Sequence, residues 1–290
     1  MSLSVEHPSP SEVAPSARGV DVSVVLPSYR AARLALRSVG RLAAFLDGTS
    51  MTWEVIVVDD GGGDFASTDL TGNPRARVLR LPENRGKGAA VAHGMKAAIG
   101  HVRIFTDADL PYDLELIPAM VDYVRAKGFH VVIGDRTLPQ SSYLAEIGFK
   151  RRLASTLFSA FVGTMVTGGF FDTQCGLKAV RGDVADELFS MRRVDRFAFD
   201  VELIYLALRH RLDIKRIPVQ LRNNETSSVR LVRDSIRTFA DIARIKYNQM
   251  RGRYDSDVLE RLVYDEFRRF RDRRATHDAV VGAVPRRPSA

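Results

Sequence analysis

The chain has 290 residues, of which 45% are hydrophobic and 27% charged. That composition suits one large core or two small ones and excludes a fibrous or wholly disordered protein. A formal net charge of +8 and an isoelectric point near 9.8 favour an anionic partner, whether nucleic acid, an anionic bilayer surface or a phosphorylated substrate. Zinc-finger spacing, an RNP-like aromatic motif and a basic region joined to zipper heptads are all missing, so no nucleic acid is expected. Cys175 is the single cysteine and cannot close an internal disulfide, and no basic stretch followed by an apolar run opens the chain. A cytoplasmic address is expected. The stretch 157–171 is short and interrupted by glycines, so no spanning helix is expected either.

Residues 1–19 are rich in Ser, Pro, Ala and Glu without a hydrophobic period and read as a disordered tail, as do residues 276–290. Between them, residues 20–225 read as one catalytic domain and residues 226–275 as a basic amphipathic helical extension. In chain order, 22–26 is a short β-branched run ended by Pro27, and 53–58 is a second, ended by Asp59-Asp60-Gly61. Leu34, Val39, Leu42, Phe45 and Leu46 recur at three- and four-residue spacing between them, which predicts a crossover helix over 31–46 and a parallel β-α-β unit. The alternation continues with strand 77–81, helix 88–100, strand 102–106, helix 114–127 and strand 129–133. This pattern predicts an open, mostly parallel sheet flanked by helices, whose ligands sit beyond the carboxyl ends of the strands. After residue 140 the pattern turns basic and helical, then glycine-rich, then helical over 197–212 and strand-like over 214–221, forming an acceptor half. Val232, Ile236, Phe239, Ala243 and Tyr247 then recur at helical spacing among seven basic residues and two acids, a net +5 over 230–253.

Asp107-Ala-Asp109 follows an apolar strand directly. If the chain turns there, both carboxylates face one Mg²⁺ or Mn²⁺ while a nucleotide diphosphate fills the remaining positions. Such a pair alone is a weak signal, and a loop with helix-capping acids fits it equally well; its place at a strand end adds weight. Asn84-Arg-Gly-Lys-Gly88 opens a helix, and its Lys87 suits a phosphate or a nucleotide contact, although the spacing is not that of a P-loop. Asp59 and Asp60 close a buried strand and need partners there, or else form only a turn. His93, His101, His130 and His210 have no metal-ligand spacing and read as surface or core residues.

Six segments in order, namely Val25-Leu-Pro-Ser-Tyr29, Val57-Val-Asp-Asp-Gly61, Asn84-Arg-Gly-Lys-Gly88, Thr106-Asp-Ala-Asp109, Asp172-Thr-Gln-Cys-Gly-Leu-Lys178 and Phe197-Ala-Phe-Asp-Val-Glu202, resemble the successive motifs of family 2 glycosyltransferases. The resemblance covers residues 21 to 250 and is strongest to the dolichyl-phosphate glucosyltransferase and mannosyltransferase branch. It implies a type A glycosyltransferase fold, with a Rossmann-like nucleotide-binding half, an acceptor half and C-terminal helices. It also implies inverting transfer of a hexose from a nucleoside diphosphate sugar to a polyprenyl phosphate, with Mg²⁺ or Mn²⁺ as cofactor.

By the same resemblance Pro27 and Tyr29 flank the base, Asp60 with its neighbour Asp59 holds the nucleoside, and Asp107 and Asp109 bind ribose, metal and diphosphate. Arg136, Arg151, Ser155, Arg222 and Arg230 match phosphate-contacting places, a task suited to a planar guanidinium. Asp200 is the candidate base or sugar-orienting residue and Asp172 the second. Two positions depart from the pattern: Arg30-Ala31 stands where the first motif usually ends in Asn-Glu, and Pro111 stands where mannosyltransferases often carry Gln. The Asp172-Thr-Gln-Cys-Gly and Phe-Asp-Val-Glu202 runs lean to the glucosyl branch, which favours UDP-glucose. Two other functions stay open: a soluble enzyme acting on a small molecule or polysaccharide end, and a non-catalytic nucleotide-sugar or RNA-binding protein. The basic helix suits peripheral contact with the cytoplasmic face of a membrane.

Overall fold

The computed structural model describes residues 19–66, 69–70, 72–143, 172–196, 198–221 and 231–266, without the side chains of 143 and 231–239. Strand β1 (Val22–Ser28) and strand β2 (Trp53–Asp59) pair in parallel around helix α1 (Ala32–Asp47). Alternation of the pleat sends Val24 and Leu26 to one face and Val25 to the other, and likewise Val55 and Val57 against Ile56 and Val58. Both faces are covered, which is why the segments Val24-Val-Leu26 and Val55-Ile-Val-Val58 read as unbroken apolar runs. Strand β3 (Ala76–Arg80), helix α2 (Lys87–Ala97) and strand β4 (Val102–Phe105) complete the first half, with β4 parallel to β1.

Helix α3 (Leu116–Arg125) leads to strand β5 (Val131–Asp135), and the two-residue strand β6 (Ser142–Tyr143) lies further on. Next come strand β7 (Lys178–Arg181), helix α4 (Gly182–Met191), helix α5 (Phe199–Arg209), strands β8 (Ile214–Pro218) and β9 (Gln220–Leu221), and helix α6 (Leu231–Met250). Residues 257–266 form a last helical stretch. The main sheet has the order β3-β2-β1-β4-β7-β5-β8, and β6 pairs with β9 in a small second sheet. Every neighbouring pair in the main sheet is parallel except that β7 runs antiparallel to both β4 and β5. One face packs α1 and α3; the other packs α2, α4, α5 and residues from the C-terminal helices. The expected open, mostly parallel sheet is therefore present.

Several bounds differ from the sequence reading. Helix α2 stops at Ala97, because the backbone of Ala98 turns extended and residues 98–100 lead into β4. The expected strand 214–221 is two strands in two sheets. β7 and α4 have no counterpart in the sequence reading. The periodic face assigned to α6 also shifts: Ile242, Ile245 and Asn248 are buried, whereas Ala243 and Tyr247 are exposed. No helix among the described residues is long and apolar enough to cross a membrane.

Candidate active site

Because β1, β2, β4, β5 and β8 run the same way, their carboxyl ends share one edge, and β7 enters the sheet at that edge. Tyr29, Asp60, Asp107, Arg136 and Lys178 each follow or open one of these strands. The topology alone therefore assembles residues from 29 to 178.

On the β2 side the acids are held by main-chain amides. Asp59 accepts from the N–H groups of Gly62 at 2.7 Å and Gly63 at 3.1 Å, closing its own loop. Asp60 accepts from the amides of Arg85 and Gly86, each at 2.8 Å, and so ties the β2 loop to the start of α2. Burial pushes the Asp60 carboxyl up, helped by the charge of Asp59, while the two amides offset only part of that. Gly61 has φ +70°, and a Cβ there would lie 2.3 Å from the carbonyl carbon of Glu83, so only glycine lets the two loops touch. Asp64 reaches the N–H of Ala32 at 2.8 Å and serves the N-terminus of α1, which has no cap of its own. Tyr29 is 44% exposed at the mouth of this region, followed by Arg30 at φ 52°.

On the β4 and β7 side the charges pair with side chains. Lys87 Nζ lies 2.5 Å from Asp107 Oδ1. Burial works to raise the Asp107 carboxyl, but Lys87, then Lys178 and Arg136, outweigh it and leave it below its ordinary value. Burial likewise works to lower Lys87, and Asp107 and Asp200 more than reverse it. Asp107 rests against the backbone of Gly176, where a Cβ would fall 2.1 Å from Oδ2. The turn carrying Asp109 ends at Leu110, whose φ of 49° is strained for a leucine; its side chain is buried in the α1/α3 core, which offsets the strain.

Arg136 grips Asp172 through Nε at 2.9 Å, Nη2 at 2.7 Å and its own backbone N–H at 2.7 Å. Burial would raise Asp172; the hydrogen bonds and charge of Arg136 win and lower it. Lys178, fully buried, donates to Asp200 at 2.5 Å and to the carbonyl of Cys175 at 2.6 Å. Burial pushes the Asp200 carboxyl up, and Lys178 and Lys87 pull back only part of the rise. Glu202, one turn side of the same motif, faces away from this cluster: it accepts from the amides of Arg193 and Val194 at 2.8 and 2.9 Å and from the Tyr254 hydroxyl at 2.5 Å.

The structure thus brings Asp60, Lys87, Asp107, Asp172, Arg136 and Asp200 to one edge and adds Lys178, which the sequence reading did not assign; Glu202 and Tyr254, also unassigned, pair with each other away from it. Lys178 closes the fifth motif and could have been noticed as a cation at a strand end. Arg151, Ser155, Arg222 and Arg230 lie outside the described residues. His130 and His210 are buried and His93 and His101 exposed. Among the described residues no three or more His, Cys, Asp and Glu side chains gather as a metal cage. Asp107 and Asp109 nevertheless offer two hard oxygen-bearing groups from one turn, which fits a Mg²⁺ or Mn²⁺ that completes its shell with diphosphate and water.

Residues 23–189 match the family model described as Glycosyl transferase family 2, and the chain belongs to that family. It is a glycosyltransferase with the type A fold. Among its relatives, a dolichyl-phosphate beta-glucosyltransferase from Drosophila melanogaster is 34% identical over 219 residues, 69% of this chain and 67% of the relative. Another of the same name from Dictyostelium discoideum is 28% identical over 246 residues, covering 80% and 75% of the two chains. Among solved structures, glucosyl-3-phosphoglycerate synthase from Mycobacterium tuberculosis in complex with uridine diphosphate is similar in fold, with a TM-score of 0.58 at 20% identity over 78% of this chain and 80% of the other. The same enzyme with Mn²⁺ and UDP-glucose gives a TM-score of 0.55 at 20% identity, covering 77% and 79%.

Proposed function

We propose that this enzyme transfers glucose, with inversion, from UDP-glucose to a polyprenyl phosphate. The observation that carries the reading is the meeting of Asp60, the Asp107/Asp109 turn and the Asp172 and Asp200 ion pairs at one sheet edge, in a chain whose relatives are named dolichyl-phosphate beta-glucosyltransferases. Tyr29 and Pro27 flank the uracil and Asp60, with Asp59 shaping its loop, orients the nucleoside. Asp107 and Asp109 hold Mg²⁺ or Mn²⁺, which when bound offsets charge developing on the departing diphosphate. Lys87, paired with Asp107 in the structure, would supply a cation to the diphosphate. Asp200, its carboxyl raised by burial, orients the sugar or takes a proton, with Asp172 in support. A phosphate acceptor is already ionised near neutral pH, so positioning by Arg136, Arg151, Ser155, Arg222 and Arg230 replaces strong base catalysis.

The basic helix α6 meets a membrane peripherally. Tyr247 and Met250 are 49% and 84% exposed on α6 with Arg244 and Arg251 beside them, an apolar tip ringed by charge that suits an anionic bilayer surface. The test is a transfer assay with UDP-, GDP- and dTDP-glucose and a short polyprenyl phosphate, carried in neutral or anionic vesicles, with Mn²⁺ present or chelated. Transfer from UDP-glucose that needs metal, falls by orders of magnitude in Asp109→Ala and rises on anionic vesicles is the expected result. Transfer to a soluble sugar with no response to the phosphate-bearing lipid would overturn the acceptor; equal rates in chelator and in Asp109→Ala would overturn the metal.

A further inference from the structure

A second basic site lies on the outer face of α2, away from the carboxylates. A cleft of about 400 Å³ opens between α2 and the end of α4, with Arg85, Lys96, Arg192 and Arg193 on its walls and Asp195 as the single acid among its lining residues. Helical spacing places Ala89, Ala92, His93 and Lys96 on one flank, so small side chains form the floor and charged ones the rim. Leu81 and Phe189 add apolar wall.

This cleft is built rather than incidental. The loop 192–195 is held from beneath by Glu202, which takes the amides of Arg193 and Val194, and from the side by Ala89, whose N–H donates to the Asp195 carbonyl at 3.0 Å. Asp195 is shared, at 2.8 Å from Arg192 Nη1 and 3.4 Å from Arg85 Nη2. One carboxylate among four cations leaves a local excess of positive charge. Arg192 Nη1 is fixed by the Val194 carbonyl at 2.6 Å as well as by Asp195, and its buried Nε–H has no acceptor among the described residues. Crowded like charges around a concavity focus field on any anion that enters.

The geometry points to a binding site for a phosphate-class anion in this cleft, separate from the candidate active site. Arg192 and Arg85 flank the anion from the loop side, and Lys96 and Arg193, both exposed, close over it from the rim. A guanidinium fork suits a tetrahedral oxyanion, and an added ammonium fixes its charge. Arg85 joins the two sites physically, because its side chain lines the cleft while its amide serves Asp60.

Inorganic pyrophosphate, titrated calorimetrically in chelator, probes a free anion; vesicles of phosphatidylglycerol in phosphatidylcholine probe a lipid headgroup. The double variant Lys96→Glu/Arg193→Glu alters only exposed positions, and its urea midpoint checks that it folds like the parent. Lys87→Ala, on the other side of α2, controls for binding at the carboxylate edge. Wild type and Lys87→Ala binding one of the two probes equally, with about a tenfold or greater loss in the double variant, is expected; the probe that responds names the source. If the double variant binds both probes as wild type does, if only Lys87→Ala loses binding, or if wild type binds neither, the site is refuted.

Discussion

The two sides of the strand edge hold their charges by different means. Beside β2, Asp59 and Asp60 are satisfied by backbone amides, and the glycine at 61 is what brings those amides close. Beside β4 and β7, Asp107, Asp172 and Asp200 each face the cation of a side chain. An amide cannot leave without unfolding its loop, whereas a lysine or arginine can change partner through a rotamer. The first side is accordingly a fixed cradle; on the second the partly exposed Lys87–Asp107 pair can exchange partners, whereas Lys178–Asp200 is buried and Asp172 also takes the Arg136 amide.

If the second side depends on paired charge, removing one buried partner should be expensive. Lys178→Ala leaves Asp200 buried without its cation and should cost about 3 to 5 kcal/mol in urea unfolding. A Lys178→Met/Asp200→Leu double variant should recover much of that loss; a double variant no more stable than Lys178→Ala would show that Lys178 matters for packing alone. Asp172→Asn should cost about 2 to 3 kcal/mol at neutral pH by losing charge-assisted bonds from Arg136.

The same pair predicts a pH signature. The Asp172 carboxyl is held below its ordinary value of 3.8, so its stabilisation is complete above that value and is lost as pH falls through the lower folded value. Asp172→Asn should flatten that part of the acid limb, measured as unfolding free energy against pH. On the fixed side the effects are smaller: Asp60→Asn keeps one acceptor oxygen and should cost about 1 kcal/mol. Amide exchange should quicken at Arg85 and Gly86 in that variant, and unchanged exchange there would break the contrast between the sides.

The parallel half was legible because its central strands carry the apolar runs Val24-Val-Leu26 and Val55-Ile-Val-Val58, which are buried on both faces and stop at Pro27 and Asp59. Its motifs were legible for the same reason, since they sit where such runs stop. β7 was not, because Lys178-Ala-Val-Arg181 has charge at both ends, and its lysine becomes acceptable inside only once Asp200 and the Cys175 carbonyl reach it. Glu202 stood in a recognised motif, yet its role needs Tyr254, 52 residues away, and two amides of the preceding loop. Helix α6 carries two competing stripes, and tertiary packing chose Ile242 and Ile245 over Ala243 and Tyr247.

The antiparallel strand has a consequence for how the chain is made. On a ribosome β4 is complete once residue 105 is added and β5 once residue 135 is, but neither is the other's neighbour. The strand that joins them arrives only with residues 178–181. Until then the nascent protein displays an apolar β4 edge with open hydrogen-bonding groups, a template for mispairing with other chains. The first four motifs, within residues 25–109, all precede β7, yet a fragment ending before that strand lacks the centre of its own sheet. Synthesis must run past that strand before the two halves become one molecule.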